Sequence, residues 1–182
     1  MGKFVFGIII GMLLICGGVY FYFSLGIAPV ASAAEAMPFE KRLARMALHK
    51  RVEKEMPKNM PIQVDESNLL AGAQIYKDNC AVCHGLPNQN QTAISKGMFP
   101  KPPQLFRSHG VTDDPPGETY WKTANGIRLT GMPAFKNSLN DNQLWQVSVL
   151  LANADKLPRS ATSVLSNTQP VLPPVQGNPR VH

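Results

Sequence analysis

The sequence predicts an all-α protein, and three observations carry that prediction. The first is Cys80-Ala81-Val82-Cys83-His84, a C-x-x-C-H pentapeptide. Two thiols three positions apart can each bond one vinyl group of the same porphyrin, and the histidine that follows is then held under the ring as an iron ligand. The motif therefore reads as an attachment site for one covalent haem c. The second observation is a pair of apolar stripes at helical spacing, one on each side of the motif. The third is an uncharged apolar run at the amino terminus, long enough to cross a bilayer.

Two other readings of the pentapeptide are weaker. A thioredoxin-like redox pair normally opens a helix after a strand, whereas the residues before Cys80 have helical spacing. A structural zinc site usually needs four ligands, and the remaining cysteine, Cys16, lies inside the apolar run.

Composition sets the outer limits. A chain of 182 residues suggests one domain plus extensions, and its 16 prolines require long irregular segments. A small domain has a limited core of its own, and a haem would supply much of the missing apolar volume. The formal net charge of +6 favours acidic partners or anionic membrane surfaces. No sustained Lys/Arg run with interleaved aromatics occurs, which argues against nucleic acid as a partner.

Phe4 to Ile27 contains no charge. As a helix it spans roughly 36 Å, against about 30 Å for a hydrocarbon core, and Tyr20 and Tyr22 fit an interfacial aromatic belt. Ala31-Ser32-Ala33 resembles a signal-peptide cleavage site, but the apolar stretch is longer than a usual signal core, which favours a retained anchor. Ile15 is too bulky for lipoprotein processing at Cys16. Haem is joined to thiols outside the cytoplasm, so the domain beyond the anchor is expected on the periplasmic side of a bacterial inner membrane. The distribution of Lys3, Lys41, Arg42 and Arg45 supports that orientation poorly.

Phe39 to Met56 reads as a basic helix with Pro38 in its first turn and with Phe39, Leu43, Met46, Ala47 and the Lys50 stem on one face. That face packs on the following domain or a subunit, with a membrane-surface helix as the sharper alternative. Pro57 and Pro61 stop the helix, and Met56 to Asp65 is a linker.

A helix from Asp65 to Asn79 carries Leu69, Leu70, Ala73 and Tyr76. Gly72 among them costs about 1 kcal/mol of helix propensity relative to Ala, which a close approach by another helix would justify. The partner is a helix from Asn140 to Asn153, with Asn140 as N-cap and Leu144, Val147 and Leu151 as its stripe. A shorter helix from Gly117 to Ala124 ends at Asn125-Gly126. Its Tyr120 and Trp121 serve equally as haem-edge or core aromatics. The remainder reads as loop, and Gly97 to Leu105, with three prolines, suits one wall of a haem crevice.

A second axial ligand must come from elsewhere. Met132 in Gly131-Met132-Pro133-Ala134-Phe135 leads, because Pro133 restricts it to extended conformations and a thioether is a soft neutral ligand that raises the potential. On position alone a packing role is as good. Met98, His109, His49 and His182 are the other candidates.

From about Glu66 to Asp155 the chain resembles the class I cytochrome c family, closest to membrane-anchored bacterial monohaem cytochromes. The resemblance rests on Gly72 to Tyr76, Cys80 to Gly85, Pro103-Gln104-Leu105, Asn125-Gly126-Ile127, Gly131 to Phe135 and Leu144-Trp145. It implies the cytochrome c fold, with first and last helices crossed around the haem. It implies thioether bonds at Cys80 and Cys83, His84 as proximal ligand, Met132 as distal ligand, and a hydrogen bond from His84 to the Pro103 carbonyl that fixes the tautomer. The insertion from Leu86 to Lys101, the basic helix and the Pro-rich tail depart from the family pattern. Arg107 and Arg128 are available for haem propionates.

The expected organisation is an anchor or signal peptide over 1–33, a basic helix and Pro linker over 34–64, a haem domain over 65–156, and an extended, mobile Pro-rich tail over 157–182. The expected function is that of a membrane-tethered electron carrier and not an enzyme. It takes no small-molecule substrate, because both axial positions are filled. Its partner would be a membrane respiratory complex or dehydrogenase, met at a haem edge ringed by Lys96, Lys101, Lys122 and Lys136. The alternative is a haem sensor or peroxidase-like enzyme with an open iron site, which would need a distal donor such as His109 or Arg128.

Overall fold

The computed structural model describes residues 1–107 and 112–166. His109, His182 and the tail prolines Pro170, Pro173, Pro174 and Pro179 lie outside the described residues. The described residues form helices and no strand, as the all-α expectation requires. The chain divides into two compact units between Arg45 and Met46.

In the first unit, α1 (Gly2–Ser24) is long and apolar enough to cross a membrane, and none of its residues is buried. Beyond it the expected helix start shifts. Phe39 has φ 64 and cannot continue a helix, so Pro38 stays outside it. The helix α2 (Glu40–Glu55) begins one residue later, with the Glu40 carboxylate accepting the Met37 N–H at 2.8 Å.

The second unit takes up α2 from Met46. The expected apolar face fails here, since Met46 is 57% exposed and Phe39 and Leu43 are also exposed. The buried residue is Val52, with Leu48 one turn before it and Met56 one turn after half-buried. This i, i+4, i+8 line is flanked by Arg51, Glu53 and Lys54, which mask it in a reading of charge. The end of α2 rests on the helix α6 described below. Glu55 accepts from the Trp121 indole N–H at 3.2 Å, and the Pro57 backbone abuts Gly117, where any Cβ would collide with the Pro57 carbonyl.

The core is built on α3 (Glu66–Asn79) and α7 (Asp141–Ala152). Both start at the residues that their polar side chains predict. Asp65 accepts the Asn68 N–H, and Asn140 forms a reciprocal capping box with Gln143. Their crossing is set by Gly72. A Cβ there would overlap the Gln146 carbonyl oxygen and lie 3.0 Å from Leu150 Cβ, so only glycine lets the backbones approach this closely. Around the crossing Ala73, Tyr76, Val147, Val149 and Leu150 are essentially inaccessible to water, and each large apolar side chain among them contributes about 1.5–3 kcal/mol by burial.

The helix α6 (Pro116–Asn125) packs across α7, with Tyr120 stacked on Trp145 at 4.4 Å and its hydroxyl donating to Asp141. Tyr120 thus makes contact between helices. Gly126, at φ 66, ends α6. A further helix, α8 (Arg159–Ser166), overturns the expectation of an extended tail from Leu157. Ala161 and Leu165 are buried against the α3–α7 core, and Ser160 donates to Glu66 at 2.6 Å. Ala161, Val164 and Leu165 stand at helical spacing, and the burial of that face outweighs the Ser/Thr-rich composition.

Candidate haem site

Cys80 to His84 fold as one helical turn. Cys80 is the C-cap of α3, and the short helix α4 (Ala81–His84) continues from it. The Cys80 carbonyl accepts from Cys83 N–H at 3.1 Å and His84 N–H at 2.9 Å. Residues at i, i+3 and i+4 share a helix face, so the two thiols and the imidazole project together. Gly85, at φ 74, then turns the chain away, with its N–H on the Ala81 carbonyl at 2.8 Å.

Two side-chain hydrogen bonds hold this turn. The buried Tyr76 hydroxyl donates to the Gly85 carbonyl at 2.7 Å, and its ring meets Phe106 edge-on at 4.9 Å. Thr92 donates to the Val82 carbonyl at 2.7 Å. The Thr92 hydroxyl also caps the short helix α5 (Ala93–Gly97), accepting the Ser95 N–H at 3.1 Å. The insertion Leu86 to Lys101, expected to be loop, thus contains a helix braced beneath the motif. Near the start of the insertion, Arg107 donates to the Gln89 carbonyl at 2.6 Å.

His84 Nδ1 lies 2.8 Å from the Pro103 carbonyl oxygen. A carbonyl can only accept, so the proton sits on Nδ1 and the lone pair on Nε2. Burial lowers the His84 pKa, and the bond to Pro103 opposes that shift in part. The imidazole is thereby kept neutral, as a metal ligand must be. Burial pushes the Cys80 thiol up to about 12, with the neighbouring Cys83 adding to the effect. Redox-pair cysteines have lowered pKa values, so Cys80 has the wrong environment for that reading. No cluster of three or more His, Cys, Asp or Glu side chains able to hold a metal ion occurs among the described residues.

Met132 is placed by a separate set of bonds between α6 and α7. Its carbonyl accepts from Ile127 N–H at 3.2 Å, and its N–H donates to Thr130 Oγ1 at 3.1 Å. Phe135 N–H and Lys136 N–H bond to the Thr123 and Ala124 carbonyls at 3.0 and 3.2 Å. Gly126 packs against this segment so closely that a Cβ would fall 2.7 Å from Ala134 N. Met98 touches Gly131, whereas His49 is exposed on α2. The residues fit a haem c: two thiols and a neutral imidazole on one face of a turn, and a soft thioether on a constrained loop.

The four lysines expected to meet a partner differ in their surroundings. Lys96, Lys101 and Lys136 are exposed, but Lys122 pairs with Glu118 at 2.6 Å and Asp114 at 3.8 Å. It stands on the face of α6 that carries Glu118, so its charge is largely met locally. Reading the sequence also missed Tyr76 and Thr92 as supports of the motif. Tyr76 was legible only as part of the α3 stripe.

Residues 67–151 match the family described as cytochrome c oxidase, cbb3-type, subunit III. The cbb3-type cytochrome c oxidase subunit FixP of Rhizobium meliloti is 29% identical over 106 residues, covering 53% of this chain and 33% of that protein. The chain thus spans about a third of the length of this curated relative. Among solved structures, the Kuenenia stuttgartiensis reducing HAO-like protein complex aligns with 58% of this chain and 54% of its own at 23% identity and a TM-score of 0.46.

Proposed function

We infer that the whole chain is a membrane-tethered carrier of single electrons, a reading supported by the match of residues 67–151 to the cbb3-type subunit III family and by the likeness to FixP. It serves respiratory partners outside the cytoplasm and binds one covalent haem. Cys80 and Cys83 form the thioether bonds, and His84 and Met132 ligate the iron. The bound haem supplies reversible one-electron exchange between ferric and ferrous iron. The remaining work falls to the chain. The Pro103 carbonyl holds the His84 proton on Nδ1 and so orients Nε2. Tyr76 and Thr92 fix the backbone of the motif turn. Thr130, Ile127 and Gly126 fix the backbone around Met132. With both axial positions filled, the site has no place for a substrate, and the protein is not itself an enzyme.

The observation that supports this reading best is the His84–Pro103 contact beside two thiols on a single helical turn. The length and apolar character of α1 support the tether, and the FixP match supports a place beside a membrane oxidase or dehydrogenase. The test is an optical spectrum of the purified haem-loaded chain in both oxidation states, with and without carbon monoxide. A low-spin spectrum, a ferric sulfur-to-iron band and no response to carbon monoxide are expected. A high-spin iron that binds carbon monoxide readily would overturn the reading in favour of a sensor or enzyme.

A further inference from the structure

The insertion Leu86 to Lys101 braces the motif turn at its start, and near its end it reaches the other half of the site. A Cβ placed on Gly131 would overlap Met98 Cε and lie 3.5 Å from Met98 Sδ. The Met98 side chain therefore rests on the backbone of Gly131, one residue before Met132. Gly131 does not have a positive φ. A side chain there would have to displace the end of Met98, and backbone conformation sets no bar.

The same segment is also held by the end of α6, through Gly126 and the bonds of Ile127, Thr123 and Ala124 already described. Other cover is thin. Leu129 is 93% exposed at φ 60, and Pro133 and Ala134 are exposed as well. Hydrogen bonds hold the backbone of this loop, but little side-chain packing covers it, so the Met98 contact is a substantial part of that packing and bears on local opening. Methionine suits the task because its unbranched, flexible side chain fills irregular gaps.

We propose that Met98 is a latch on the distal loop. Its thioether presses Gly131–Met132 against the end of α6 and sets how readily the Met132 sulfur leaves the iron. The inference rests on Met132 being the distal ligand. Met98 acts through Gly131 and is a positioning residue. It links the insertion that braces the proximal turn to the loop that supplies the distal ligand.

The test is an imidazole titration of the haem-loaded full chain in detergent micelles, followed optically in the ferric state. The proteins compared are wild type, Met98→Leu, Met98→Ala and Gly131→Ala. Imidazole binds only when the loop is open, so its apparent affinity follows the open fraction. Met98→Ala should keep the sulfur-to-iron band yet bind imidazole about tenfold more tightly, an opening shift expected from losing one partly buried contact. Met98→Leu conserves volume and should stay near wild type. Gly131→Ala displaces Met98 without removing it and should behave like Met98→Ala. Unchanged imidazole affinity in both alanine variants, with the band intact, would overturn the latch alone. A wild-type spectrum without the band would instead remove the Met132 assignment. Loss of the band in Met98→Ala with its retention in Met132→Ala would make Met98 the ligand and overturn both.

Discussion

Gly72→Ala is the most direct test of how the haem domain closes. Two opposing effects can be weighed. Helix propensity favours alanine over glycine by about 1 kcal/mol in a helix interior. Against this, the added Cβ would overlap the Gln146 carbonyl oxygen and sit 2.8 Å from its carbon and 3.0 Å from Leu150 Cβ. The obstacle is α7 backbone, which cannot rotate aside, so α3 and α7 must separate by several tenths of an ångström. Overpacking of this kind costs about 1–3 kcal/mol, and here it loosens contacts of side chains with no water access, so the upper end applies. The net expectation is a loss of about 2 kcal/mol. For a domain of this size that lowers Tm by roughly 10 °C. Thermal and urea unfolding of the haem-loaded chain, followed by haem absorbance and far-UV circular dichroism, would read it. A variant as stable as wild type, or more stable by the propensity term, would refute a crossing set by this glycine.

Further expectations concern single contacts. Tyr76→Phe removes the donor to the buried Gly85 carbonyl and should cost about 1–3 kcal/mol, measured as a lower urea midpoint at unchanged slope. Asn140→Ala deletes half of the α7 capping box and should cost about 1 kcal/mol, with amide exchange rising first over residues 141–144. Gly117→Ala drives a Cβ into the Pro57 carbonyl, so amide exchange over Val52 to Met56 should accelerate while the haem spectrum stays unchanged. Met132→Ala should abolish the ferric sulfur-to-iron band, lower the reduction potential and admit carbon monoxide.

The motif turn, the caps and the close crossing were legible because each is encoded within a few residues. Cys80, Cys83 and His84 need only a helical turn to share a face. Asp65 and Asn140 cap the helices they precede, and Gly72 stands where its propensity cost needs a reason. The buried line of α2 was not legible, because Val52 sits among charges that a periodicity count reads as a solvated face. Leu43 and Met46 offered a stronger pattern that the fold leaves exposed. The helix α8 was hidden by Pro, Ser and Thr. Its apolar face counts only because α3 offers a surface for Ala161 and Leu165. Lys122 looked available to a partner until Glu118 and Asp114 were brought beside it.

By itself the sequence determined the helical class, the Cys80–His84 turn, the apolar amino-terminal helix and the pairing of α3 with α7. These follow from local spacing, from side-chain capacity to cap, and from one glycine in an otherwise well-formed helix. Only the tertiary structure decided which carbonyl takes the His84 proton, which hydroxyls brace the motif, where α2 turns its buried side, and which side chain lies on Gly131. Those contacts join residues far apart along the chain, from 9 between Tyr76 and Gly85 to 66 between Glu55 and Trp121. No local rule specifies such pairs. They exist because the crossed helices bring loops from both halves of the domain to one place.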